Sequence, residues 1–234
     1  PLDTDGEWFR FHHLFQQLLQ NWLAEQRTPD EIAALHMRAS NWFAGQGLIN
    51  DAFKHALAAH NFTAAAELVE KHLHAELKAD GWHVVEQWLS MFPAAVKQER
   101  PGLLLAQAWV EHVHFRLDRI TPLIEQVTTV MELETADPLY QAEVGYFRGF
   151  LLYWSGEAKG SVPYFEEALA QASGRASFVE TNIEIFLSLA YCMAGRKNKA
   201  IRDILRRIEA VDGSQDDFLT YRLGALAFIH TLTG

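Results

Sequence analysis

Two glycines constrain this chain more than anything else in it. Gly156 and Gly195 stand 39 residues apart in the 234-residue sequence, and one more step of 39 reaches Gly234. Their surroundings agree. Leu152-Tyr153-Trp154-Ser155 leads into the first and Tyr191-Cys192-Met193-Ala194 into the second; Phe165-Glu166-Glu167-Ala168-Leu169 falls where Ile204-Leu205-Arg206-Arg207-Ile208 falls. About one repeat back from Gly156 lies Arg116, and Gly47 marks an earlier joint of the same kind. Between joints the apolar residues recur at a period near 3.6, the signature of amphipathic helices. A repeat of this length means stacked helical hairpins, in which each pair buries its apolar face only against its neighbours. An all-α array of antiparallel helix pairs is expected.

Helix starts support this reading. Thr28-Pro29-Asp30-Glu31 is a capping box with proline at the first helical position, and Ile32, Leu35, His36, Ala39, Trp42 and Phe43 follow on one face. Thr121-Pro122 with Glu125, Asp137-Pro138, and Ser214 ahead of Asp216 and Asp217 read as further starts. Roughly eleven helices are expected by this pattern. Only the beginning differs: Asp5-Gly6 and Trp8-Phe9-Arg10-Phe11 suggest either a short N-terminal β-strand or an irregular arm. Three segments follow, at 1–27, 28–120 (connecting hairpins) and 121–234 (repeats). The chain begins at Pro1 and stops after the first helix of a new pair, so it reads as a piece of a longer array.

Composition excludes several functions. Lys+Arg is 20 against Asp+Glu 30, a net charge of −10 that opposes direct DNA contact and binding to an anionic membrane. No apolar run reaches the length of a membrane span, and no secretory signal opens the chain, so a cytoplasmic protein is expected. The one cysteine, Cys192, sits in an apolar helix and reads as a buried structural residue. Gly156-Glu157-Ala158-Lys159-Gly160-Ser161 has the wrong spacing for a P-loop, and neither G-x-S-x-G nor H-E-x-x-H occurs. The histidine pairs His72/His74 and His112/His114 are two residues apart and point away from each other on a helix, so no metal site is expected. Asn61-Phe62-Thr63 fits a glycosylation sequon but lacks the secretory context. The basic run from Arg196 to Arg207 has no aromatic residue for base stacking and reads as a solvated face. No catalytic residues and no cofactor are expected in this stretch.

Two resemblances add to these readings. The segment Gly149 to Glu157, with Ser161, Phe165 and Ala168, resembles a tetratricopeptide-type hairpin, with Arg148, Glu184 and Pro163 as departures from its pattern. It implies a right-handed superhelix, a TPR-like α-solenoid. Trp8 to Leu19, Leu35 to Phe43, Gly47 to Leu57 and Ala64 to Leu68 resemble the MalT-like, ATP-dependent transcription regulators of the LuxR type. That likeness makes 1–27 the end of a winged-helix segment with a linking helix. It places an ATPase module before this region and a helix-turn-helix after it. ATP is thus implied only for the preceding module, and self-association only for a full-length parent.

On the tetratricopeptide pattern the first helix of each pair lines a concave groove. Glu143, Tyr146, Phe150, Tyr153 and Trp154 then face it, joined one repeat on by Asn182, Ile185, Leu189 and Met193, and next by Tyr221 and Phe228. Aromatic rings with a few carboxylate and amide groups suit a sugar, a peptide or a small apolar effector. The same stripe also reads as core between repeats, since spacing alone does not separate groove from core. The function expected is a non-catalytic module for signal sensing and oligomerisation that binds a small-molecule or protein effector. The alternative is a stand-alone protein-interaction scaffold.

Overall fold

A computed structural model describes residues 12–131, 137–172, 174–175, 177–209 and 218–233. They form thirteen helices and, among the described residues, no strand. In order these are α1 (His13–Gln26), α2 (Pro29–Gly45), α3 (Ile49–Ala58), α4 (Phe62–Lys78), α5 (Trp82–Ser90), α6 (Ala94–Gln98) and α7 (Pro101–Val113). Then come α8 (Leu117–Val130), α9 (Pro138–Trp154), α10 (Ala158–Ala172), α11 (Ser177–Met193), α12 (Lys197–Glu209) and α13 (Leu219–Thr233). The all-α expectation holds. The helix count exceeds the expected one, because α5 and the five-residue α6 are too short to give a periodic signal. The strand or irregular arm read at Trp8–Phe11, the start at Ser214 and the joint at Gly234 lie outside the described residues.

The chain divides into two compact units, Pro1–Leu68 and Val69–Gly234, with the division inside α4. In the first unit the Thr28 capping box is complete. The hydroxyl of Thr28 accepts from the Glu31 N–H at 3.3 Å, and the Glu31 carboxylate accepts from the Thr28 N–H at 2.9 Å. Helix α2 packs on α3, which buries Ala52, Phe53 and Ala56, and the buried Ser40 hydroxyl donates to the Ala52 carbonyl at 2.8 Å. His36 and His55 meet Nδ1 to Nδ1 at 2.8 Å, so one ring donates and the other accepts.

In the second unit the first helices of successive pairs touch one another. Helix α7 contacts α8 and α9, α9 contacts α10 and α11, and α11 contacts α12 and α13. This is a solenoid-like stack. The joints in both units share one geometry. At Gly47, His60, Asp80, Phe115, Gly156 and Gly195 the backbone is left-handed, and the following N–H donates to the carbonyl five residues back, at 2.8–3.0 Å. That is the Schellman helix ending. Three joints carry the expected glycine. The others place a side chain where it costs roughly 1–2 kcal/mol, so glycine spacing alone could find only half of them.

One helix start is corrected. Helix α8 begins at Leu117, directly after the joint, and Pro122 lies inside it. Thr121-Pro122 has the chemistry of a start, but Ile120, Ile124 and Val127 are all buried on one face, and burying that face carries the helix upstream through the proline. Pro163 sits likewise inside α10. Asp137, by contrast, caps α9, its carboxylate accepting from the Leu139 N–H at 2.9 Å.

The close crossing of α9 and α10 rests on Gly149. A Cβ there would stand 2.8 Å from Cε1 of Phe165, a fully buried ring with Tyr146 and Phe186 about it. Gly224, in mid-α13, has nothing within 4 Å of its missing Cβ. The two glycines should therefore respond with opposite signs. Gly224→Ala is expected to stabilise by about 0.5–1 kcal/mol through helix propensity, and Gly149→Val to destabilise by about 1–3 kcal/mol through overpacking. Urea unfolding of both variants checks this, and equal shifts would contradict the close crossing.

Candidate functional site

Helices α7, α9 and α11 turn a run of aromatic residues towards one another. Trp109 stacks on Tyr146 at 5.1 Å between centroids and meets Phe178 edge-on at 4.9 Å. His112 lies 4.5 Å from Phe150, and Phe186 lies 4.9 Å from Phe150. Several polar atoms inside this cluster are paired. The Glu143 carboxylate accepts from the Trp109 indole N–H at 2.5 Å, and its same oxygen lies 2.9 Å from Nε2 of His74. The Tyr146 hydroxyl lies 2.8 Å from Nε2 of His112. Burial lowers the His112 imidazole to about 4 and pushes the Tyr146 phenol well above its ordinary value. At neutral pH both are therefore uncharged.

This burial decides between groove and core for part of the expected site. Glu143 and Tyr146 are fully buried and Phe150 nearly so. The expectation that these three line an open groove is corrected: Phe178 and Phe186 of α11 fold over α7 and α9 and fill the space. Tyr153 is half-buried, 5.7 Å from Phe186, and Trp154 is half-exposed against Phe115 at the edge of the stack. Asn182 and Tyr221 lie elsewhere, together, at a pocket of about 280 Å³.

Four parts of the second unit wall that pocket. The end of α4 and the joint after it supply Leu77, Lys78 and Asp80, with Trp82 from the start of α5. Helix α7 supplies His112 and Val113, and α11 supplies Phe178, Thr181, Asn182 and Ile185. Phe218 and Tyr221 close the remaining side, with the Lys78 ammonium 5.4 Å from the Phe218 ring centroid. The contributions of Lys78, Asp80 and Trp82 escape the repeat pattern, because they come from a joint with no glycine in the left-handed position. Asp80-Gly81, a turn dipeptide, was the available signal.

The remaining candidates are structural. His112 faces the aromatic cluster while His114 meets Trp82 at 4.7 Å and Glu86 at 4.0 Å, so the pair does point apart. Asn61 accepts from the Ala64 N–H at 3.0 Å, at the start of α4. Cys192 is buried. The departures at Arg148 and Glu184 are met by polar partners: Arg148 donates to Thr128 at 3.1 Å, and the buried Glu184 pairs with Arg207 and, at 3.3 Å, with Arg222. A wider cleft near α12 is lined by charges that already have partners: Asp203 pairs with Arg206 at 3.7 Å across its wall, and Glu166 pairs with Lys199, outside the lining, at 3.5 Å. The pocket at Asn182 and Tyr221, with its mixed walls, is the stronger candidate for a ligand site.

Sequence comparison relates this helical-hairpin stack to a region of larger proteins. The chain is 29% identical over 133 residues to the HTH-type transcriptional regulator MalT of Klebsiella pneumoniae (strain 342), covering 57% of this chain and 15% of that protein. It is 28% identical over 149 residues to the regulator of the same name in Yersinia pestis (strain Pestoides F), covering 63% of this chain and 16% of that protein. No family model matches. The chain therefore resembles a region of a MalT-like transcription regulator, as its sequence motifs suggested, and the match spans about a sixth of the relatives' length. Among the described residues no helix is long and apolar enough to cross a membrane.

Proposed function

We propose that this region is the signal-receiving part of a cytoplasmic, MalT-like transcription regulator, and that it binds a small effector in the pocket at Asn182 and Tyr221. The observation that carries the reading is the composition of the pocket wall: it comes from α4, α5, α7, α11 and α13 at once. A ligand touching five helices favours one arrangement of them, and it shifts the equilibrium only by its difference in affinity between arrangements. Phe178 links the pocket to the core, since it packs on Trp109 and His74, which both meet Glu143. The region itself is non-catalytic, holds no cofactor and makes no direct DNA contact; ATP use and self-association belong to the parent protein.

Calorimetric screening of sugars, peptides and metabolites tests this. Hits should weaken by about 1–3 kcal/mol in Asn182→Ala and Tyr221→Ala. Tyr221 is 65% exposed, so its loss leaves the fold intact. Binding that is indifferent to both substitutions would place the effector elsewhere. A second reading, a protein-interaction scaffold, is favoured by Phe115, Trp154 and Met193, three half-exposed apolar residues at the repeat spacing of 39. Partner capture abolished by Trp154→Ala would favour it.

A further inference from the structure

We infer that the pocket takes a neutral, flat aromatic molecule carrying a carboxamide, and that His112 and Asn182 read the amide. The inference rests on the reading of this pocket as the effector site. Trp82, Phe178, Phe218 and Tyr221 give its wall four rings, and Leu77 and Ile185 add to the apolar part. Such a wall suits a flat apolar body, and about 280 Å³ gives room for one the size of an indole. Lys78 and Asp80 also line the pocket, but both are exposed, so their charges stay in water. The Lys78 ammonium already lies near the Phe218 ring. Neither gives a buried ligand reason to be charged.

The remaining polar groups of the wall are neutral, and their hydrogen bonds fix what each presents. The Thr181 hydroxyl accepts from the Arg222 guanidinium at 3.3 Å. Asn182 donates its amide N–H to the Phe178 carbonyl at 2.9 Å, which leaves its Oδ1 as an acceptor. His112 is uncharged at neutral pH, and its Nε2 meets the Tyr146 hydroxyl at 2.8 Å. Tyr146 is fully buried, and this is the one hydrogen bond its hydroxyl makes among the described residues. Its O–H therefore donates here, since turned elsewhere it would go unsatisfied in the core. Nε2 is then the acceptor, and the single ring hydrogen of the neutral imidazole sits on Nδ1. His112 thus has an N–H donor left for a ligand, and Asn182 a carbonyl acceptor. A carboxamide brings the complementary acceptor and donor on one flat group. A carboxylate has no donor for Asn182, an ammonium has no acceptor for His112, and either loses its hydration on entering.

The test is calorimetry on the 234-residue chain with indole-3-acetamide, its N,N-dimethyl amide, indole-3-acetate and tryptamine, and with maltose as a control without rings. Indole-3-acetamide should bind, and each of the other indoles should bind weaker by on the order of ten-fold or more. Asn182→Ala should remove the preference for the primary amide over the dimethyl amide. Nitrogen NMR of labelled histidine, with the His112 signals identified by their loss in His112→Gln, reads the tautomer directly. Nδ1 should carry the proton in the free chain, and its signal should shift when the amide binds. A proton on Nε2 would overturn the inference. So would equal binding of the four indoles, or silence from indole-3-acetamide at millimolar concentration. Maltose binding that depends on Tyr221 while no indole binds would overturn the amide and leave the pocket as the effector site. Amide binding indifferent to both Asn182→Ala and Tyr221→Ala would overturn the two readings together.

Discussion

Trp109→Ala should cost more stability than any other single truncation in the repeats. The indole is fully buried between Tyr146, Phe147 and Phe178, so its removal leaves a cavity that aromatic neighbours on two helices cannot collapse into. Large aromatic truncations of this kind cost about 3–5 kcal/mol. The indole N–H also donates to Glu143, a carboxylate with no exposed surface, whose other oxygen makes no hydrogen bond among the described residues. Losing that donor leaves His74 alone on the carboxylate and adds about 1–3 kcal/mol. Trp109→Phe keeps a ring in place and removes the donor, so it should show the smaller part. Trp154→Ala, at a half-exposed site, should cost about 1 kcal/mol or less. Urea unfolding of the three variants checks the order. A Trp154→Ala loss as large as that of Trp109→Ala would show that the cluster is not the core of the stack.

That comparison also shows where the sequence stops being informative. Glu143, Tyr146 and Phe150 recur at helical spacing, and so do Asn182 and Tyr221 in the following repeats. The first three are core and the last two line a pocket. The difference lies in Phe178 and Phe186, which close over one part of the face and leave another open, and helical period carries no record of what lies across a gap. The hairpin order and the glycine joints were legible because a left-handed backbone selects glycine and a helix start selects a cap. Where a left-handed joint carries no glycine, as at His60, Asp80 and Phe115, or where burial of a neighbouring face carries a helix through a proline, as at Pro122, the local code is silent. Lys78, Asp80 and Trp82 reach the pocket from a joint of that kind.

Stability should fall steeply as the pH drops from about 6.5 towards about 4, and His112 is the main cause. An imidazole in the unfolded chain takes a proton near its ordinary value of 6.5, whereas burial among Trp109, Tyr146 and Phe150 holds the folded one near about 4. Between those values the unfolded chain binds a proton that the folded chain refuses. The stabilisation is therefore present above the unfolded value and lost as the pH falls, reaching a loss of about 3 kcal/mol at pH 4. His55 and His72, also lowered by partial burial, act in the same direction. Glu184 acts in the opposite direction: burial raises its carboxyl despite two guanidiniums, so the folded chain takes up that proton first. The contribution of His112 is isolated by His112→Gln, which offers Tyr146 a hydrogen-bond partner that does not titrate. Unfolding free energies of the two proteins, each referred to its own value at pH 7, should separate by about 3 kcal/mol at pH 4. Parallel curves would mean that the folded chain protonates His112 as readily as the unfolded one, and that burial against Trp109, Tyr146 and Phe150 does not hold the ring neutral.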